Sequence, residues 1–482
     1  MRKKFATNLV FLLTVNLLVK PYWIFGIDRV VQNKVGAAAY GTYFAIFNYS
    51  FLLSIILDFG INNFNSRAIS RDNNRLGEYL VNLSTIKLFL SVIYLGLTLV
   101  SGLFTGFDAL EMKMLAFWGI NQILISATLY FRSNIAALQL FKTDSVISTL
   151  DRLLAGLFCV SLMYLPAFKD SFNIMWFIYA QTAGFFLTAL IAFIVIARRA
   201  VIRFNFWNLG FAKTILFKSA PFAMLALLMG IYYRIDAVMI ERMLPNGDKE
   251  AGIYAASFRL LDAVNQFGFL FATLLLPIFA AMIRKNEDMR DLVKFSSELM
   301  FVLAIITAAD CYFFRNEIMQ MLYHNSTTYW SMIFGWLMIN FIPMSSIYIF
   351  GTLLTAQGSL KILNIIALVG MLLNITLNLY LIPHYGALGA TIATLITQVV
   401  AAAAHIIAAH KKFRFEYSVK DLLKLAGFTG ACCITLLSAK MLPYGWVINF
   451  LLATVVCSLI AVATNLIPLS DLYKLIRSKA TS

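Results

Sequence analysis

Six basic side chains sit inside stretches that are otherwise apolar for about twenty residues: Lys20, Lys87, Arg152, Arg234, Arg259 and Lys424. A cation at the lipid-facing centre of a helix costs about 2.5–3.5 kcal/mol on insertion scales, so each needs a partner, a path to the surface or a wet cavity. Lys87, Arg152 and Lys424 fall within about two turns of one end of their stretches, so their stems can snorkel. Lys20, Arg234 and Arg259 lie deeper. A guanidinium grips several anionic oxygens at once and an ammonium acts on them as a point charge, so these three are candidates to bind a polyanionic group. Arg259 and Asp262 stand at i and i+3 and can neutralise each other on one helix face. Arg234 and Asp236, at i and i+2, point to nearly opposite faces and cannot. The candidate binding residues are therefore Lys20, Arg234 and Arg259, with Asp236 beside them. Acids inside the same stretches (Asp58, Asp151, Asp236, Asp262, Glu298 and Asp310) balance the cations in number, so counting alone implies no cationic cavity. Asp58, two residues before Gly60 and near Arg67, reads as a gating contact.

Covalent chemistry has no comparable constellation. There is no Gly-x-x-x-x-Gly-Lys-Ser/Thr phosphate loop and no His-Glu-x-x-His, and His324, His384, His405 and His410 are scattered. The five cysteines, Cys159, Cys311, Cys432, Cys433 and Cys457, fall in apolar segments without metal-ligand spacing and read as packing thiols. The expectation is a chain that is not an enzyme, with no cofactor and no metal.

The elements that must position the charges follow from composition. Of 482 residues, 61% are hydrophobic and 13% charged, with a mean hydropathy of +0.81; soluble domains run near 45–50% and 25%. Apolar runs of bilayer length recur at about 5–27, 38–62, 80–104, 113–132, 146–166, 174–197, 219–243, 253–283, 295–314, 331–356, 362–383, 387–410, 422–442 and 447–467. The fold class expected is an all-α integral membrane protein of about 14 transmembrane helices. The opening Met-Arg-Lys-Lys before Leu9 imitates a secretory signal, but no small-residue cleavage site follows, and the segment reads as a retained first helix.

The net charge of +16 is a topology signal rather than a nucleic-acid footprint, because the basic residues sit in short loops and form no broad face. With a cytoplasmic N-terminus, alternate loops place 25 Lys and Arg on the cytoplasmic side and 8 on the other. Both termini are expected in the cytoplasm, and His324 on the opposite side. No loop exceeds roughly 20 residues, which leaves no room for a soluble catalytic domain.

An internal duplication is suggested by two pairs of motifs. Ile27-Asp28 is followed, thirteen residues after the aspartate, by Gly41-Thr42-Tyr43. Ile235-Asp236 is followed, sixteen residues on, by Gly252-Ile253-Tyr254. Both read as the close of one helix and the opening of the next, and the site of a duplicated transporter lies between its repeats. The expected organisation is an N-lobe of helices 1–6 (1–212), a C-lobe of helices 7–12 (213–412), and two extra C-terminal helices with a tail (413–482).

At these residues the chain resembles the multidrug/oligosaccharidyl-lipid/polysaccharide (MOP) exporter superfamily, in its polysaccharide-flippase (Wzx-type) branch. The likeness rests on Gly36–Tyr43 with Leu57-Asp58-Phe59-Gly60-Ile61 and Arg67, on Pro221 through Arg234-Ile235-Asp236, on Ala251–Tyr254 with Arg259-Leu260 and Leu276-Pro277, and most specifically on 381–390, Leu-Ile-Pro-His-Tyr-Gly-Ala-Leu-Gly-Ala. It covers about 1–412. The resemblance implies two six-helix lobes around a central cavity, alternating access, and movement of oligosaccharide repeat units on an undecaprenyl-pyrophosphate carrier across a bacterial inner membrane for O-antigen or capsule synthesis. A polymerase and glycosyltransferases are the implied partners, with the bilayer itself and no nucleic acid. Arg259 matches, by its position after Tyr254, an arginine that lipid II flippases of this superfamily place in their cavity. The alternatives are a lipid II flippase and a cation-coupled multidrug antiporter of the same superfamily. The antiporter would place an acid deep in the first helix, where this chain has Lys20. A multipass glycosyltransferase or polymerase would need a large extracytoplasmic loop.

Overall fold

The computed structural model describes residues 18–19, 21–72, 76–200, 209–415 and 419–467, with side chains at all of these except 63, 64, 67, 68, 71, 209–219, 221, 419 and 422. Among the described residues every regular element is a helix. A backbone in lipid must satisfy its own N–H and C=O groups, which a helix does within one segment.

The first helix, α1, runs from Tyr22 to Asp28 in π geometry and on as a regular helix over Arg29–Val35. Then follow α2 (Ala37–Leu52), α3 (Ile61–Arg71), α4 (Leu76–Thr105), α5 (Ala109–Ala137), α6 (Phe141–Tyr164), α7 (Ile174–Ala197), α8 (Leu209–Met243) and α9 (Gly247–Lys285). The chain continues with α10 (Arg290–Phe313), α11 (Arg315–Leu322), α12 (Thr328–Ala356, with a π stretch at Ile347–Gly351), α13 (Leu360–Tyr385), α14 (Ala387–Phe413), α15 (Val419–Lys440) and α16 (Trp446–Ala463). Twelve helices among the described residues are long and apolar enough to cross a membrane. They correspond one to one with the twelve expected runs from 80–104 to 447–467, and the protein is an all-α multi-span membrane protein.

Two expected spans differ in detail. The first helix does not close at Asp28 but carries it into the interior, seven residues before its end at Val35. The run 38–62 is not one helix. It stops at Leu52, makes a single 3-10 turn over Ser54–Leu57, and reverses through Asp58–Gly60. There Phe59 (φ 40) and Gly60 (φ 78) take left-handed backbone that only glycine adopts at low cost.

Local chemistry sets several boundaries. Asp108 and Glu111 form a reciprocal capping box at the start of α5, with bonds of 2.7 and 2.8 Å. Asn173 caps α7 through the Met175 amide at 2.9 Å. Gly386 (φ 60) turns α13 into α14, and a Cβ on Gly389 would run into the Leu381 carbonyl, so the two helices close on glycine.

The contacts divide the chain into two compact units, Met1–Ala256 and Ser257–Ser482, with the boundary inside α9. In the first, α5, α6 and α7 pack together and α2 lies against α5 and α8. Its interior is aromatic: Tyr43 meets Trp118 (5.7 Å) and Phe177 (5.2 Å), and its hydroxyl bonds Gln181. In the second, α10, α12 and α14 pack in sequence, and the pair α15–α16 lies on α10. Outward faces are apolar throughout, as at Leu88 (68% exposed) and Val92 (67%) on α4, which a lipid phase accommodates.

Candidate functional site

The first unit brings together polar groups that lie far apart in the chain. On α8, Arg234 is half-buried and turned toward α2, where one terminal nitrogen lies 3.4 Å from Asn48 Oδ1. Asn48 is buried and donates its own Nδ2 to the Phe44 carbonyl at 2.8 Å, which fixes the amide with its oxygen toward the arginine. Around the guanidinium stand the rings of Tyr233 (5.1 Å), Phe51 (5.5 Å) and Phe47 (5.9 Å). Such contacts are worth about 0.5–2 kcal/mol each, depending on desolvation. Neutral rings and an amide oxygen are thus among the groups that surround the guanidinium.

Two residues of α2 beyond Asn48 lead to a cavity of about 210 Å3, lined by Phe51, Leu57, Asp58, Gln122, Ser126 and Gly230 among others. Phe51 belongs both to the cavity wall and to the arginine's surroundings, and Gly230 lies one helical turn before Arg234. The cavity forms because α2 breaks. Where the chain turns away at Asp58, the Leu57 carbonyl is bonded by Lys87 Nζ at 2.7 Å and by Ser126 Oγ at 3.2 Å. A cation at the exposed carbonyl end of a helix is favourable. Lys87 Nζ also lies 3.5 Å from Asp58 Oδ1 and 5.8 Å from the Tyr130 ring. Asp58 in turn accepts from the Asn62 amide (3.2 Å), which caps α3.

Lys87 is therefore not a snorkelling side chain. It is 7% exposed and reaches inward to the broken helix end, a role that hydropathy could not announce. The Arg152 guanidinium lies over the Trp23 ring at 5.1 Å, and its side chain is 39% exposed. The signals that could have revealed Lys87 were Asp58 and Gly60 within an apolar run.

Asp236 is 1% exposed and accepts from Tyr254 Oη at 2.8 Å, tying α8 to the start of α9. The paired motifs of the sequence also find a geometry. Gly41 and Gly252 sit where α2 and α9 begin, and Gln32 Nε2 donates to the Gly252 carbonyl at 2.8 Å. A Cβ on Gly41 would strike the Asp248 carbonyl, and one on Gly252 would strike the Ala37 carbonyl. With Gly41 matched to Gly252 and Ala37 to Asp248, these two close approaches are equivalents of each other. Asp236 stands seven residues before the end of α8, as Asp28 does before the end of α1.

Of the remaining candidates, Arg259 is half-buried on α9 within the second unit, and Asp262 follows it by three residues. Lys20 and the side chain of Arg67 lie outside the described residues. No group of three or more His, Cys, Asp or Glu side chains is placed to hold a metal among the described residues.

Sequence and structure comparisons agree with this architecture. The family described as polysaccharide biosynthesis protein matches residues 5–283. The lipid III flippase of Escherichia coli (strain K12) is 27% identical over 223 residues, 44% of this chain and 52% of that protein, so the chain matches about half the length of that relative. Among solved structures, the lipid II flippase MurJ in an inward closed conformation superposes with a TM-score of 0.72 at 15% identity, covering 96% of this chain and all of that one (100%). An inward-facing multidrug resistance MATE family transporter of the MOP superfamily gives a TM-score of 0.66 at 13% identity, covering 84% of this chain and 98% of that one. At such identities the two structures speak for the fold, and the match over more than half of the chain speaks for the family. The chain belongs to the polysaccharide biosynthesis protein family and carries the fold of the MOP exporters.

Proposed function

We propose that this protein is a flippase that moves an oligosaccharide repeat unit, carried on undecaprenyl pyrophosphate, across the bacterial inner membrane by alternating access between two six-helix lobes. The reading is supported by its family, by the lipid III flippase relative, and above all by one observation: a half-buried guanidinium, Arg234, lies against Asn48 and three aromatic rings, with Gly230, one helical turn before it, in the wall of a cavity. Arg234 and Arg259 engage the pyrophosphate, with Lys20 on the same track. Asp236 is the buried anchor that aims the α8–α9 turn, and Asp58, with Arg67, acts at the gate where α2 breaks. No bond is made or broken, and the chain is a transporter rather than an enzyme. The membrane potential adds about 2.3 kcal/mol per charge per 100 mV to outward movement of the anionic headgroup. Both termini lie in the cytoplasm, and the glycan, an O-antigen or capsule unit, passes to a polymerase after glycosyltransferases have built it.

The test is surface-glycan export, normalised to folded protein in the membrane. A charge-assisted hydrogen bond is worth about 1.5–3 kcal/mol, so Arg234→Gln and Arg259→Gln each weaken binding roughly ten- to a hundredfold, and Arg234→Lys recovers part of the loss. If both glutamine variants export at the unmutated rate, the site is wrong. If the protein instead rescues cells depleted of their lipid II flippase, the substrate is the peptidoglycan precursor.

A further inference from the structure

The seam that fastens α15 and α16 to α10 is apolar over most of its length. Toward one end Val302, Ile305 and Ile306 pack with Phe428, Cys432, Cys457 and Ala461. Toward the other, Phe314 packs with Leu436, Ala439 and Ala453. Lys294 pairs with Asp421 (3.0 Å) at the first end and Lys440 with Glu317 (3.3 Å) at the second. Between the two clusters, one helical turn after Ile306 and one before Phe314, lies Asp310, 2% exposed.

Two hydrogen bonds around Asp310 share one hydroxyl proton. Thr454 Oγ1 on α16 is 2.7 Å from Asp310 Oδ2 and 2.9 Å from the Phe450 carbonyl oxygen. A threonine hydroxyl has one proton, and a carbonyl can only accept. That proton serves one contact at a time: Thr454 either donates to Asp310 Oδ2 or gives its proton to Phe450, its ordinary bond within a helix, and accepts from a protonated carboxyl across the 2.7 Å contact. The other oxygen, Oδ1, is buried and has no hydrogen-bond partner among the described residues, which a neutral C=O tolerates better than a charged oxygen does. The titratable groups facing Asp310 are the thiols of Cys311 on its own helix, Cys432 on α15 and Cys457 on α16. From α12, the other helix packed on α10, the titratable side chains are Tyr329 and Tyr348. The cations at this end of the seam are turned elsewhere, Lys440 to Glu317 and Arg315 to the Tyr312 carbonyl (2.8 Å). No counter-charge is on hand for a carboxylate among the described residues.

We infer that Asp310 is a membrane-buried proton-binding site, carried as the neutral acid, whose O–H donates to Thr454 and latches the C-terminal helix pair to α10. Loss of that proton turns the Thr454 hydroxyl back to the carboxylate and leaves a buried charge with no counter-charge among the described residues.

Infrared difference spectra of the full-length protein in lipid vesicles, unmutated minus Asp310→Asn, test the assignment. The expected result is a carboxylic-acid carbonyl band at neutral pH that disappears in alkaline buffer. Thr454→Val moves that band to higher frequency, because the O–H loses its acceptor, and lowers the melting temperature by about 2–4 °C, the shift for one hydrogen bond in a unit of this size. Carboxylate bands at neutral pH, a band that Thr454→Val leaves in place, or an unchanged melting temperature in that variant each overturn the proposal.

Discussion

Replacing Lys87 by methionine keeps the length of the stem and its packing while deleting the ammonium, and so isolates what the charge does at the break in α2. The lysine side chain is 9% exposed and its partner Asp58 33%. Removing the charge leaves the Leu57 carbonyl with Ser126 alone at 3.2 Å and takes away a 2.7 Å charge-assisted bond, worth about 1.5–3 kcal/mol. Asp58 also loses its counter-charge. Because a third of Asp58 is exposed, solvent carries part of that loss, and it stays well below the about 3–5 kcal/mol of a fully buried pair. The sum is about 2–4 kcal/mol, a fall in melting temperature on the order of 5–10 °C for a unit of this size. The assay is thermal unfolding of the detergent-purified protein followed by intrinsic fluorescence, for Lys87→Met, Asp58→Asn and the double variant. The two single losses should not add, because once the lysine is gone the aspartate has no counter-charge left to lose and keeps only the Asn62 amide. An unchanged melting temperature in Lys87→Met, or strict additivity in the double variant, would refute the view that this lysine holds the broken helix end.

The remaining predictions concern packing and topology. Gly41→Ala and Gly252→Ala each drive a methyl group into a backbone carbonyl, so both lower the yield of folded protein, at a cost of about 1–3 kcal/mol or more from overpacking; normal yield of either would show that α2 and α9 do not approach this closely. In a background without native cysteines, Asn325→Cys should react with an impermeant thiol reagent on intact cells and Asp288→Cys only after the membrane is opened. Labelling of Asp288→Cys on intact cells would invert the assigned orientation.

Much of the architecture could be read along the chain, for local reasons. A bilayer demands some twenty apolar residues per crossing, and hydropathy is additive over a short window, so twelve spans fall where the runs of apolar residues put them. The poor match between Arg234 and Asp236 followed from helical periodicity alone, and the structure gives each a different partner, Asn48 and Tyr254.

What the tertiary structure decided is which polar groups meet. The break after Leu52 was invisible to hydropathy because Ser54–Leu57 is as apolar as the helix before it; it shows in the 3-10 turn over those residues and in the backbone of Phe59 and Gly60. Lys87 lies within reach of the membrane surface by sequence count, yet it turns inward because the carbonyl of Leu57, thirty residues earlier, offers it a bond there. Asp310 and Thr454 are 144 residues apart, and nothing local to either marks them as partners. Spans are written in composition, which each segment carries by itself. The pairing of buried charges and hydroxyls is not, because it depends on segments far apart in sequence arriving at one place where water cannot take over their hydrogen bonds.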